Sequence, residues 1–268
     1  MRPVRQTTLV ASDGVELGAS LRIGAGGPAF VLLHGFNGHG QQSRVRVIVE
    51  RLADFGDVIT VDMRGHGRSS GKSTVGRLEV LDLDAAVAWA RELGYAKVIV
   101  VGFSLGAAVA IRQAGLAQDP ALGTLGDPVV GNAPDVVIAV SGPAFWYYRG
   151  TAVMRLVHWL VETRPGRMVL GMQGTRVAPD RWPASHPAQP VEAAGMLGRT
   201  PLLVVHGTVD RYFPLEHPRA LHRAAVQGGN MEAELWVVEG FGHAEAAVGP
   251  DTIDRLAKWG LERCADWS

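Results

Sequence analysis

The sequence predicts an α/β fold, with a mostly parallel central sheet flanked by helices. Two observations lead there. Short β-branched apolar runs recur along the 268 residues, and helical patterns lie between several of them. Strand and helix in alternation make parallel pairing the natural outcome, because a parallel neighbour needs a crossover long enough to hold a helix. In such sheets ligands bind beyond the carboxyl ends of the strands, so chemistry is expected just after each apolar run.

The runs, taken in order, are these. Residues 15–23 alternate and read as an early strand at a sheet edge. Residues 29–33 are apolar and end at His34-Gly35; residues 58–61 end at Asp62. Residues 97–101 lead into Gly102, residues 136–140 into Ser141-Gly142-Pro143, and residues 202–205 into His206-Gly207. The last run, 235–238, leads into Glu239-Gly240. Runs this short, bounded by Gly or Pro, read as strands buried on both faces. Residues 44–55, 79–93, 105–117, 216–226 and 251–264 repeat apolar positions with a period of roughly 3.6 and read as helices.

Two segments interrupt the alternation. Residues 118–135 are rich in Gly and Pro and read as a long loop. Residues 144–199 separate two strands by more than a crossover requires. They open on Phe145-Trp146-Tyr147-Tyr148, continue into a helix over 152–162, and carry a Pro-rich stretch over 182–190. Connecting loops rarely hold so many large apolar groups, so this segment reads as a helical cap inserted over the strand ends. The expected division is a core of 1–143 and 200–268 with a cap or lid of 144–199.

Composition limits the function classes. Lys plus Arg and Asp plus Glu both number 26, so the formal charge is zero. That balance points away from nucleic acid and from an anionic membrane as the main partner. The only lysines are Lys72, Lys97 and Lys258. With the abundant Ala and Gly, this Arg bias suits a GC-rich bacterial genome. The single cysteine, Cys264, cannot form an internal disulfide or a Cys-pair zinc site. The first residues lack the apolar core of a signal peptide, and no run of about 18 apolar residues could span a bilayer. A cytoplasmic protein without stable membrane anchoring, metal or organic cofactor is expected. A chain of this size buries roughly three-quarters of its unfolded surface and needs no such staple.

Gly102-Phe103-Ser104-Leu105-Gly106 matches G-x-S-x-G, with a predicted strand before it and a predicted helix after it. A strand turning sharply into a helix strains the central residue, and flanking glycines let neighbouring elements approach. Ser104 is then exposed above a helix N-terminus as a nucleophile; the plainer role would be to cap that helix. A serine needs a base. His243, in Gly240-Phe241-Gly242-His243 after the last strand, is placed to supply it. The imidazole needs an orienting carboxylate, and Asp210, in Gly207-Thr208-Val209-Asp210, follows the preceding strand. The segment Ser141-Gly142-Pro143-Ala144, after the strand before that, offers no carboxylate.

With the order Ser104, Asp210, His243, the chain resembles the α/β-hydrolase superfamily, of the serine esterase or lipase type. The resemblance runs from about residue 7 to the C-terminus, the cap being its variable part. Leu33-His34-Gly35-Phe36 and Asp62-Met63-Arg64-Gly65-His66-Gly67-Arg68-Ser69 also match the family's pattern. The resemblance implies an oxyanion hole from the backbone N–H groups of Leu105 and Phe36, with Asn37 as the alternative loop donor. It makes His34, Asp62 and His66 structural. His206 ends a buried strand and reads as packed and hydrogen-bonded. Trp146, Tyr147, Tyr148 and Met154 either line the substrate pocket or form the cap's own small core. Glu245, two residues past the base, receives no role.

The family hosts many reactions, and fold alone selects none of them. A serine at the elbow argues against the carboxylate chemistry of its dehalogenases and epoxide hydrolases. The reading is an ester hydrolase with a small-molecule substrate: a small or medium acyl ester, a monoacylglycerol or a lysophospholipid. An acyltransferase, a thioesterase, a C–C bond hydrolase and a non-catalytic ligand receptor stay open as alternatives.

Overall fold

The computed structural model describes residues 3–118, 127–179 and 187–265. Eight strands form one sheet in the order β1-β2-β4-β3-β5-β6-β7-β8. These are β1 (Val4–Val10), β2 (Glu16–Arg22), β3 (Ala29–Leu33), β4 (Asp57–Val61), β5 (Val98–Phe103), β6 (Val136–Val140), β7 (Leu202–Gly207) and β8 (Ala233–Val238). From β4 to β8 every neighbouring pair is parallel; β1 and β2 are antiparallel additions. The alternation of strand and helix therefore gives the mostly parallel sheet that it predicts.

Side chains alternate across β5 and so feed two cores. Val98 and Val100 face one layer, with α2 (Glu79–Glu92) and α3 (Leu105–Gln118). Ile99, Val101 and Phe103 face the other, with α1 (Ser43–Leu52) and α8 (Pro250–Ala265). Helix α3 is buried from Leu105 through Leu116, which fixes the strand-to-helix turn rigidly at the centre of the sheet.

Both edges of the sheet differ from the sequence reading. The run over 15–23 is not an edge strand, because β1 pairs outside β2. That outer strand carries Arg5, Gln6, Thr7 and Thr8 and is largely exposed, so no apolar alternation marks it. At the other edge β8 is only half buried, not covered on both faces.

Between β6 and β7 lie α4 (Ala152–Glu162), α5 (Arg164–Met172) and α6 (Pro190–Ala194). Thr163 ends α4 and caps α5, its hydroxyl accepting from Gly166 N–H at 3.0 Å. The Pro and Gly in the first turn of α5 hide that helix from a periodicity search. The end of α5 is tied to the loop after β4: Ser73 and Val177 form an isolated bridge. Helix α6 packs on α3 and α7 (Glu216–Gln227), and Ala193 and Ala194 are fully buried in the main core. Leu197, just after α6, is likewise fully buried in the main core. Of the expected 118–135 loop, 119–126 lie outside the described residues, as do 180–186. Residues 127–135 are irregular and are held by Asp84, which accepts from Gly131 N–H, Asn132 N–H and the Asn132 amide.

Buried charge braces the loop after β4. Arg64, 2% exposed, donates three bonds of 2.7–2.9 Å to the fully buried Asp82 and two, of 2.6 and 3.2 Å, to Asp13. Removing one partner strands a buried cation. Asp82→Ala is expected to lower unfolding free energy by about 3–5 kcal/mol in denaturant titrations, towards the low end because Asp13 remains.

Two buried histidines give the fold a pH dependence. His34 Nε2 accepts from Met63 N–H at 3.0 Å, and His217 Nδ1 accepts from Ala144 N–H at 3.0 Å. Burial pushes His34 down to about 3 and His217 down to about 4. In the unfolded chain both bind a proton below about 6.5, while the folded chain does not. Stability is therefore complete above that pH and falls as pH drops towards the folded values, by at most about 1.4 kcal/mol per pH unit per histidine. Thermal melts between pH 7 and pH 4.5 should show a falling midpoint, and His217→Asn should flatten the slope.

Candidate active site

Strand β5 ends at Phe103 and α3 starts at Leu105, which leaves Ser104 alone to make the turn. Its φ is +50°, in the left-handed region. Two glycines make this possible. A Cβ on Gly102 would stand 2.4 Å from Gly106 O, and one on Gly106 would stand 2.6 Å from Leu33 O. The close approach of α3 to β5 and β3 needs both positions bare. Ser104 N–H donates to Val140 O at 2.9 Å, so β6 holds the turn from the side.

The structure brings Ser104, His243 and Asp210 together. His243 Nδ1 lies 2.7 Å from Asp210 Oδ2, and His243 Nε2 lies 2.9 Å from Ser104 Oγ. A carboxylate only accepts, so Nδ1 carries the proton and Nε2 keeps a lone pair for the serine hydroxyl. Asp210 Oδ1 accepts from Tyr212 N–H at 2.7 Å and Phe213 N–H at 3.1 Å. Burial alone would raise the Asp210 carboxyl. The bond to His243 and the Tyr212 N–H outweigh it and hold the group below the usual carboxylate range. Tyr212 also stacks on the imidazole, 3.9 Å between centroids.

The loop that carries His243 is fixed from below. Ser141, fully buried at the end of β6, has a φ of +54° and accepts from Ala244 N–H at 3.0 Å. Where a carboxylate is missing after β6, a hydroxyl anchors the residue that follows His243.

The segment after β3 crosses beside the serine. His34 Nδ1–H donates to Gly35 O at 2.8 Å. Asp62, 2% exposed, accepts from Gly40 N–H at 2.6 Å and Arg68 N–H at 2.9 Å. His66 Nδ1–H donates to Arg64 O at 3.0 Å, and its ring stands edge-on to His34 and Phe36. His206 Nε2–H donates to Phe213 O at 2.9 Å. Neither Phe36 N–H nor Leu105 N–H donates to any described protein acceptor. Asn37 N–H is likewise unpaired, and its φ is +65°.

Ser104 and His243 open into a cavity of about 470 Å³. Its lining includes apolar Val75, Leu105, Pro143, Trp146, Met154 and Val157 and polar Asn37, Gln42, Arg44 and Glu245. Of the four pocket residues expected, Trp146 and Met154 line it. Tyr147 and Tyr148 do not, because the chain turns at 146–147. Tyr147 is exposed and faces His158, while Tyr148 stands edge-on to His217 at 4.5 Å. Phe145, Val157, Tyr212 and Glu245, none of which the sequence assigns to the pocket, also line the cavity. For Tyr212 a signal existed: Asp commonly bonds the N–H two residues on, which aims the next side chain. Among the described residues, no group of three or more His, Cys, Asp or Glu is placed to hold a metal ion. No described helix is long and apolar enough to cross a membrane.

Comparison with known proteins agrees with this architecture. The human Protein ABHD12B is 29% identical over 205 residues, which are 75% of this chain and 50% of that protein. The chain thus spans about half the length of that relative. The Pyrococcus furiosus esterase Pf2001 superposes with a TM-score of 0.71 at 22% identity, over 98% of this chain and 93% of that one. Est1E from Butyrivibrio proteoclasticus, solved with ferulic acid bound, gives 0.66 at 19% identity, over 97% and 100%. The alpha/beta hydrolase GrgF from Penicillium sp. sh18 gives 0.70 at 17% identity, over 98% and 99%. At these identities the likeness is one of fold. A profile of the alpha/beta hydrolase family matches residues 30–258, most of the sheet and the whole site. The chain belongs to the alpha/beta hydrolase family.

Proposed function

We propose that the protein is a serine hydrolase that cleaves a carboxylic ester through an acyl-enzyme on Ser104. The observation that carries this reading is the continuous hydrogen-bond path Asp210–His243–Ser104, which ends in an open cavity. Family membership supports it, and so does the presence of proteins called esterases among the similar structures.

The chemistry follows from the bonds. Ser104 Oγ attacks the ester carbonyl as its proton passes to His243 Nε2. Asp210 keeps the other nitrogen protonated and stabilises the imidazolium that forms. The N–H groups of Leu105 and Phe36, which donate to no described protein acceptor, take the oxyanion. Collapse breaks the C–O bond, and the alkoxide leaves with the proton from His243. Water then attacks the acyl-enzyme, gives its proton to His243, and frees the acid while Ser104 regains its hydrogen.

The apolar lining residues Val75, Leu105, Trp146 and Met154 suit an acyl chain. A cavity of this size accommodates a small or medium ester. Met154 and Val157 bring α4 to the cavity rim, so we read α4 and α5 as the cover over the site.

The test is covalent labelling. A fluorophosphonate should add once to the wild type, by intact mass, and not at all to Ser104→Ala. No adduct on the folded wild type would remove this reading. Asp210→Asn should keep the fold and lower kcat on a p-nitrophenyl ester by about 10⁴-fold, because an amide no longer enforces the required tautomer. A loss under tenfold would exclude Asp210 as the orienting acid.

A further inference from the structure

Glu245 belongs to the 3₁₀ turn Ala244–Ala246, directly after His243. Its half-buried carboxylate reaches the loop after β3. Oε1 accepts from Gly35 N–H at 2.6 Å, across 210 residues of chain. A Cβ on Gly35 would stand 3.3 Å from Glu245 Oε2 and 3.3 Å from Ser104 Cβ. Gly35 is therefore a thin wedge between that carboxylate and the serine.

Both peptide groups that meet at the Gly35 Cα are held. Gly35 N–H is bound by Glu245. Gly35 C=O accepts from His34 Nδ1–H at 2.8 Å and Gly38 N–H at 2.9 Å. That carbonyl and Phe36 N–H share one planar trans peptide, so they point in opposite directions. Pinning the carbonyl on one side aims the Phe36 N–H on the other. Glycine rotates freely unless both of its flanking peptides are restrained.

We infer that Glu245 is a positioning residue: it fixes the peptide at Gly35 so that Phe36 N–H meets the transition-state oxyanion. The inference rests on the ester-hydrolase reading above. It also ties the loop of the base to the loop of the oxyanion donor through one bond. The part required of Glu245 is an acceptor oxygen, not a negative charge.

The experiment compares Glu245→Ala, Glu245→Leu and Glu245→Gln with wild type on a p-nitrophenyl ester and on two inhibitors of one chain length. A trifluoromethyl ketone adds Ser104 as a hemiketal and uses the oxyanion donors; the matching methyl ketone binds mainly as a ground state. Either acceptor-less variant should lose roughly 10- to 100-fold in kcat with KM changed less than about threefold. The trifluoromethyl ketone should weaken by the same factor and the methyl ketone by less than about threefold. Glu245→Gln should recover to within about fivefold of wild type, since its carbonyl oxygen accepts as well. Unchanged kinetics, equal weakening of both ketones, or a Gln variant as poor as Ala would each overturn the assignment. These outcomes are distinct from failure of the hydrolase reading, in which wild type itself takes no fluorophosphonate and turns over no ester.

Discussion

Ser104 keeps a left-handed backbone because its neighbours two residues away have no side chains. A φ of +50° on a residue with a Cβ costs on the order of 1–3 kcal/mol unless the surroundings impose it. Here they do. Strand β5 is buried on both faces, α3 is buried for three turns, and the carbonyls of Leu33 and Gly106 lie where a methyl group would have to go. The interior packing of two elements thus pays for one strained residue, and the strained residue presents its hydroxyl outward.

The rest of the site is arranged around that fixed point, and each part arrives from a different strand end. Asp210 follows β7, His243 follows β8, and Gly35 follows β3. Loops of this kind are mobile unless bonded. Ser141 secures the His243 loop through Ala244 N–H, and Tyr212 and Phe213 hold Asp210 through their N–H groups. The result is a set of groups on loops with the positional stiffness of the sheet beneath them. Positive φ values recur at Asn37, Ser104, Ser141 and Ala244, all at this end of the sheet. Strain gathers where the chain must turn abruptly from the sheet to the site.

How much was legible in the sequence follows from what kind of interaction carries each feature. The parallel strands announced themselves because burial on both faces demands continuous β-branched runs. The elbow, His243 and Asp210 were legible because strand ends are marked by Gly. Strand β1 was hidden, since an exposed edge strand needs no apolar pattern and carries Arg5, Gln6 and Thr7 instead. Helix α5 was hidden by Pro165 and Gly166 at its start, which sit well in a first turn yet read as a break. Tyr147 and Tyr148 were grouped with Trp146 because they adjoin it, but a turn sends consecutive side chains in different directions. Glu245 receives no role from the sequence for a deeper reason. Its partner is a backbone N–H 210 residues away, and backbone groups carry no residue signature.

The histidines around the site fall into two settings. Five imidazoles lie in or beneath the site: His34, His66, His206, His217 and His243. Burial pushes the first four downward, His34 to about 3 and His217 to about 4. Each of the four also spends at least one ring nitrogen on a backbone group. They are neutral struts, stiff and flat, that fix carbonyls and N–H groups where a longer amide side chain would sag. His243 alone has a carboxylate on one nitrogen and a hydroxyl on the other, with its ring edge at the cavity. The same residue type thus meets two settings: four rings hydrogen-bonded to backbone groups, His206 also 3.4 Å from Asp210, and one ring bonded to a carboxylate and a hydroxyl together.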